Sequence, residues 1–278
     1  MLLAVLAGAV GGCGVGARAP SAADRPLTPG LSGDVEPDPA ESEDIATKRV
    51  LLDWTGGSPD ITDRRIGPAD FSLMTDANGD PLEVDREAFQ EAVRGRVEEI
   101  LSAIEPVDFL VVTGESDGRP DTTTVYFTDE LGPAGAAQAG QARLDQCDLS
   151  QGGDIVVWGG SLRSLGDGFD FEEWVHLFAN VAAHEVGHTV GFFHPDAYLD
   201  DLSDYERTVE VMLSVRTLSA LRGPQGFVIP QETCPASVAA RYGGVAYGLS
   251  ADSTTRPSAK RAFTTSRAAC VCEIVADE

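Results

Sequence analysis

Lysine is nearly absent from this 278-residue chain, which carries only Lys48 and Lys260. Lys plus Arg total 20 against 45 Asp plus Glu, a formal net charge of −25. A surface of that sign repels phosphate backbones and excludes nucleic acid as a partner. Arginine usage in a GC-rich genome, adaptation to high salt and bound calcium are each compatible with the acidity. Long hydrophobic runs are missing too. Leu2 to Val10 falls far short of the ~20 apolar residues of a spanning helix, so membrane association would have to come through an N-terminal anchor. There is no internal repeat. Histidine is scarce, at four residues. What is present is a hydrophobic fraction of 42% with 23% charged residues, enough for one sizeable core in a single large domain or a domain with appendages.

The short apolar run ends in Val10-Gly11-Gly12-Cys13, which reads as a lipobox whose Cys13 is lipidated, although no basic residues precede it. The alternative is a secretory signal cut after Ala17-Arg18-Ala19, with Pro20 poorly placed behind the cut. Either way residues 1–19 are a signal peptide, and the protein is expected outside the cytoplasm, at the cell surface. Without Cys13, the remaining Cys147, Cys234, Cys270 and Cys272 are even in number and compatible with two disulfides in an oxidising compartment. Cys270 and Cys272 are too close to pair comfortably, so each is expected to bridge elsewhere and pin the C-terminal tail.

Residues 20–46 are rich in Pro, Ala, Ser and acidic side chains and poor in large apolar ones, the composition of a flexible tether. The ordered domain is expected over 47–278. A strand at Arg49 to Trp54 opens it. The loop Asp76-Ala77-Asn78-Gly79-Asp80, with Glu87 in twelfth position, faintly resembles a calcium loop, but Pro81 stands where that loop needs Gly, and a plain turn is the better reading. Asp85 can cap a helix over Arg86 to Ile104, whose Phe89, Val93, Val97, Ile100, Leu101 and Ile104 form one stripe. Strands follow at Val107–Val112, Thr122–Thr128 and Ile155–Trp158, with a thinner edge strand within Leu131 to Leu144. The order implies an α/β sandwich on a twisted, mostly parallel sheet.

The chemistry is concentrated in one run. Asp170-Phe171-Glu172-Glu173 reads as a capping box opening a helix to about Val190. On it His184 and His188 stand four apart, so both imidazoles share a face and can bind one metal. Glu185, one step round, can reach a metal-bound water without being a ligand. Gly191 stops the helix by taking the left-handed conformation, and the reversal brings back His194 as third nitrogen ligand. Three imidazoles and a water make a catalytic zinc site, with Glu185 as the general base. His176 reads as a structural or surface residue, not a ligand. The acidic stretch with Asp200, Asp201 and Asp204 reads as a solvated loop, with calcium the lesser alternative.

The pattern His184-Glu185-x-x-His188-x-x-Gly191-x-x-His194 resembles the metzincin clan of zinc peptidases. The resemblance implies a five-stranded, mostly parallel sheet with an active-site helix, an upper subdomain over 47–191 and a smaller, irregular lower one over 192–278. It implies a methionine floor under the metal, for which Met212 is the match. It further implies a substrate lying extended along the edge strand somewhere in Ala136 to Leu144. Pro195 after His194 is similar to serralysins, but Ser214 stands where those carry a tyrosine, so no tyrosine role transfers. The implied activity is zinc-dependent hydrolysis of proteins or peptides by a monomer. The competing reading is a zinc-containing binding lipoprotein of the same fold without turnover.

Overall fold

The computed structural model describes residues 47–71, 74–76, 78–104, 107–135, 138–143, 152–165, 168–192, 194–197, 199, 201–229 and 269–275. The signal peptide, the tether, Cys147 and Cys234 lie outside these residues, and so do the side chains of Cys270 and Cys272. Both disulfide expectations therefore fall outside what is described.

Strand β1 (Thr47–Asp53) is followed by helix α1 (Arg86–Leu101), β2 (Asp108–Thr113), β3 (Thr122–Thr128), β4 (Gln138–Arg143) and β5 (Gly153–Trp158). Helices α2 (Gly159–Leu165) and α3 (Phe171–Thr189) come next, then a single 3-10 turn at Pro195–Ala197 and α4 (Asp204–Val209). Strand β6 (Val215–Thr217), α5 (Leu218–Arg222) and β7 (Ala269–Val275) complete the order. Each strand and long helix expected from the sequence is present, with no end shifted by more than three residues and Thr122–Thr128 matched at both. Asp85 caps α1 by accepting the Ala88 N–H at 3.0 Å, and the expected stripe Phe89, Val93, Val97, Ile100 and Leu101 is buried.

The sheet holds seven strands in the order β2-β1-β3-β5-β4-β7-β6. Strands β2, β1, β3 and β5 run parallel, and β4 is antiparallel to β5. These are the five expected strands. The correction concerns the edge: β7 pairs with β4 and β6 pairs with β7, so β4 is an interior strand. Short β6, and β7 far along the chain, carry no isolated periodicity that announces pairing with a strand more than a hundred residues upstream. Pairing at such separation is decided by tertiary packing.

One face of the sheet is covered by α1 and α3. Val50 and Leu52 of β1, Val125 and Phe127 of β3, and Ile155 and Val157 of β5 meet Phe89 of α1 and Phe178 of α3 there. Trp54 stacks on Phe127 with centroids 3.7 Å apart at 8°. The opposite face buries Tyr126, Val156 and Trp158 beneath Ile66. A strand buried on both faces reads as continuous rather than alternating, which explains why β3, Thr-Thr-Thr-Val-Tyr-Phe-Thr, is buried throughout. Helix α4 is a second correction. Its segment reads as an acidic loop, yet Ser203 accepts the Glu206 N–H and the Glu206 carboxylate accepts the Ser203 N–H. Ser203-x-x-Glu206 is a capping box that the cluster of aspartates obscures. Among the described residues no helix is long and apolar enough to cross a membrane.

Candidate metal centre

Helix α3 carries the histidine pair because both of its ends are capped. Asp170 accepts the Glu173 N–H at 2.9 Å while the Glu173 carboxylate accepts the Asp170 N–H at 2.9 Å, the reciprocal box expected from the sequence. At the other end Gly191 adopts φ 95°. The Phe192 N–H then donates to the Gly187 carbonyl at 2.9 Å and the Gly191 N–H to the His188 carbonyl at 3.1 Å. This pair of bonds is a Schellman closure, which turns the chain back over the last helical turn. It returns His194 to the helix.

The three Nε2 atoms form a small triangle: His184 to His188 3.1 Å, His188 to His194 3.0 Å, and His194 to His184 3.2 Å. His184 and His188 are fully buried and His194 is half-buried, so the triangle opens toward solvent on the His194 side. The outer ring nitrogens decide the tautomers. His184 Nδ1 lies 2.7 Å from the Val211 carbonyl and His188 Nδ1 lies 2.8 Å from the Phe192 carbonyl. A carbonyl only accepts, so each Nδ1 carries the proton and each Nε2 presents a lone pair. Two such Nε2 atoms 3.1 Å apart cannot hydrogen-bond to one another; a shared cation satisfies both. Nitrogens bound at 2.0–2.1 Å in a tetrahedron would stand about 3.3–3.4 Å apart, within a few tenths of an ångström of the observed edges. The donor set fits zinc, and among the described residues these three form the one cluster of potential ligands close enough to share an ion.

Met212 is buried against this helix. A Cβ on Gly187, between the two helical histidines, would stand 2.5 Å from Met212 Sδ, so the thioether fills the space that glycine leaves. Glu185 is fully buried and faces β4 at Gly140. A Cβ on Gly140 would come within 2.8 Å of Glu185 Cγ and 2.9 Å of Cδ, and closer still to Oε1. Any side chain here would push the carboxylate out of its place, so glycine lets the strand cross Glu185 without moving it.

Three further contributions escape the sequence. Glu210 is fully buried; one carboxylate oxygen accepts the Met212 N–H at 2.9 Å, the other the N–H groups of Val228 at 2.9 Å and Ile229 at 2.7 Å. The Val211 carbonyl and the Met212 N–H belong to one peptide unit. Glu210 holds one end of that unit and His184 Nδ1 the other, so the carboxylate orients one ring of the histidine triangle through a peptide bond. Its sequence signal is a lone acid inside the apolar run Val209-Glu210-Val211-Met212-Leu213, costly unless hydrogen-bonded. Asp196 accepts from the Ser214 N–H at 3.0 Å and from its hydroxyl, tying the segment after His194 to the turn after Met212. Ser214, which carries no tyrosine role, thus has a fastening one. Asn180 Nδ2 donates to the carbonyls of Leu221 and Gly223, both at 2.9 Å, docking α5 on α3.

The other sequence candidates stand apart from the triangle. His176 is half-buried on α3, its Nδ1 has no hydrogen-bond partner among the described residues, and burial followed by the nearby Arg96 charge pushes its pKa down. Asp76 accepts the N–H groups of Asn78 at 2.8 Å and Asp80 at 3.0 Å, and those bonds hold its carboxyl below the usual range. The segment forms a turn closed by its own aspartate. The proposed substrate edge is corrected: the described part of Ala136 to Leu144 is strand β4, and its outer side is taken by β7.

No protein-family profile matches this chain, and no curated protein does. Among solved structures, archaemetzincin from Methanopyrus kandleri is similar over 67% of this chain and 91% of that one, at 16% identity and a TM-score of 0.38.

Proposed function

We propose that this chain is a zinc-dependent endopeptidase. The observation that carries the reading is the convergence of three Nε2 atoms, two with lone pairs fixed by backbone carbonyls, beside a buried glutamate one residue along the same helix. His184, His188 and His194 would hold the ion, which when bound supplies Lewis acidity toward a water and the scissile carbonyl. Glu185, in a buried position against Gly140, takes the proton from the attacking water and returns it to the leaving amine. Burial strengthens that exchange by keeping competing solvent away from the carboxylate. Met212 packs beneath the histidine helix, and Glu210 and the Phe192 carbonyl hold the two buried rings in register for the ion.

The enzyme is exported and tethered through lipidated Cys13, acting as a monomer on protein or peptide substrates, with its four remaining cysteines in disulfides. The test is direct. Metal analysis of the purified chain should give one zinc per molecule, and an unfolded protein should be cut, with cutting stopped by a chelator. Glu185→Ala should keep the zinc and lose cleavage by at least about 10²-fold. Full activity in that variant would overturn the mechanism, and zinc without any cleavage would favour a binding protein instead.

A further inference from the structure

Helix α1 carries no residue of the histidine triangle, yet one of its arginines reaches the segment that holds the triangle in place. The Arg96 side chain is only 14% exposed. Its Nη2 donates to the Gln225 carbonyl at 2.8 Å, 129 residues away in the chain. Its Nη1 lies 2.5 Å from the Glu99 carboxylate, which is itself largely exposed, so that ion pair adds little. Its Nε is buried without a partner among the described residues. Burying a guanidinium is costly unless its bonds are complete, and here they are not. What the burial secures is the hold on Gln225.

Gln225 is a junction. Its buried side chain donates to the Thr208 carbonyl of α4 at 3.3 Å and to the Ala220 carbonyl of α5 at 3.1 Å. The next residue, Gly226, donates its N–H to the Val209 carbonyl and accepts the Val211 N–H, both at 2.9 Å. Val211 in turn presents its carbonyl to His184 Nδ1 at 2.7 Å. Asn180 of α3 holds the carbonyls of Leu221 and Gly223, and Arg96 is the last anchor before Gly226. On the far side Glu210 holds the N–H groups of Val228 and Ile229. Gly226 is thus fixed from both directions.

We propose that Arg96 is a positioning residue for His184. By fixing Gln225 it sets where Gly226 carries Val211, and so where the Val211 carbonyl meets the imidazole. The proposal rests on the zinc-binding part of the endopeptidase reading, not on turnover.

The test uses the full chain. Arg96→Met removes the donors and keeps most of the stem. In metal-free protein, nitrogen-15 spectra of the histidines should show the His184 proton on Nδ1 in the parent and shared between both ring nitrogens in the variant. Zinc affinity, from chelator competition, should fall about tenfold, and the visible spectrum of the cobalt-substituted protein should shift. Arg96→Lys keeps a donor and should return the affinity to within about twofold of the parent's. Should the methionine variant not fold, Arg96→Gln, with its shorter side chain, carries the same comparison. Val93→Ala removes buried apolar contact from α1 and should lower Tm while leaving affinity and spectra unchanged. Arg96→Met combined with Glu210→Gln should lower affinity by less than the product of the separate losses, because both act through one stretch of backbone. Parent-like zinc affinity and histidine spectra in Arg96→Met would overturn the proposal, as would equal effects of Val93→Ala at a matched loss of Tm. A parent that binds no zinc, but whose His184 proton moves in Arg96→Met, would remove the zinc reading and leave the positioning role standing.

Discussion

If the proposed endopeptidase reading holds, Gly140→Ala should separate catalysis from metal binding. The added Cβ would lie 2.8 Å from Glu185 Cγ and 2.9 Å from Cδ. Carbon atoms settle at about 3.5–4.0 Å, so the overlap is roughly 0.7–1 Å. The strand has little room to retreat, because Gly140 is paired on both sides, with Val157 of β5 and Cys272 of β7. The yielding group is the Glu185 side chain, flexible enough that the cost in stability stays modest. Its cost in chemistry does not. A displacement of about 1 Å in a catalytic group lowers the rate by about 10²-fold. The histidine cluster is fastened elsewhere, His184 on Val211 and His188 on Phe192, so metal affinity should be unchanged. The assay compares kcat on an unfolded protein with zinc affinity from chelator competition. Gly95→Ala is the control, because its Cβ meets nothing within 4 Å and helix α1 should gain up to about 1 kcal/mol. A folded Gly140→Ala protein with kcat within threefold of the parent would refute the placement of Glu185. Loss of zinc in step with activity would refute the separation of roles.

Glu210→Gln replaces one accepting oxygen with an amide nitrogen that faces backbone donors. Zinc affinity, read by chelator competition, should fall by about 10–100-fold, and the visible spectrum of the cobalt-substituted protein should shift; an unchanged affinity and spectrum would make Glu210 merely a fold residue. Gly191→Ala places a side chain at φ 95°, which costs about 1–2 kcal/mol and loosens the reversal that returns His194; thermal unfolding checks the stability, and equal Tm values would contradict the closure. The lowered His176 pKa means that the unfolded chain binds the proton more readily than the folded one. Its contribution to stability is therefore complete above about pH 6.5 and is lost as pH falls from there through the lower folded value. Denaturant titrations of His176→Gln across that window should show a shallower loss of stability than the parent, and an equal or steeper loss would count against it.

The sequence by itself determined everything that depends on neighbours within one helix or one turn. The capping box at Asp170, the i, i+4 histidine pair, the positive φ of Gly191 and the return of His194 follow from spacing within 25 residues. Backbone geometry at that range is set by local sterics and capping hydrogen bonds. The stripe of α1 and the run of β3 were legible for the same reason. Tertiary structure alone decided which distant segments press on that helix. Gly140 matters because β4 crosses Glu185, and no local pattern distinguishes it from the chain's other glycines. Glu210 matters because its peptide unit meets His184, and its acid reads locally only as an anomaly in an apolar run. The edge of the sheet lay furthest from view. Backbone hydrogen bonds are nearly blind to side-chain identity, so the chain's own pattern cannot say whether β4 ends the sheet or receives Ala269–Val275.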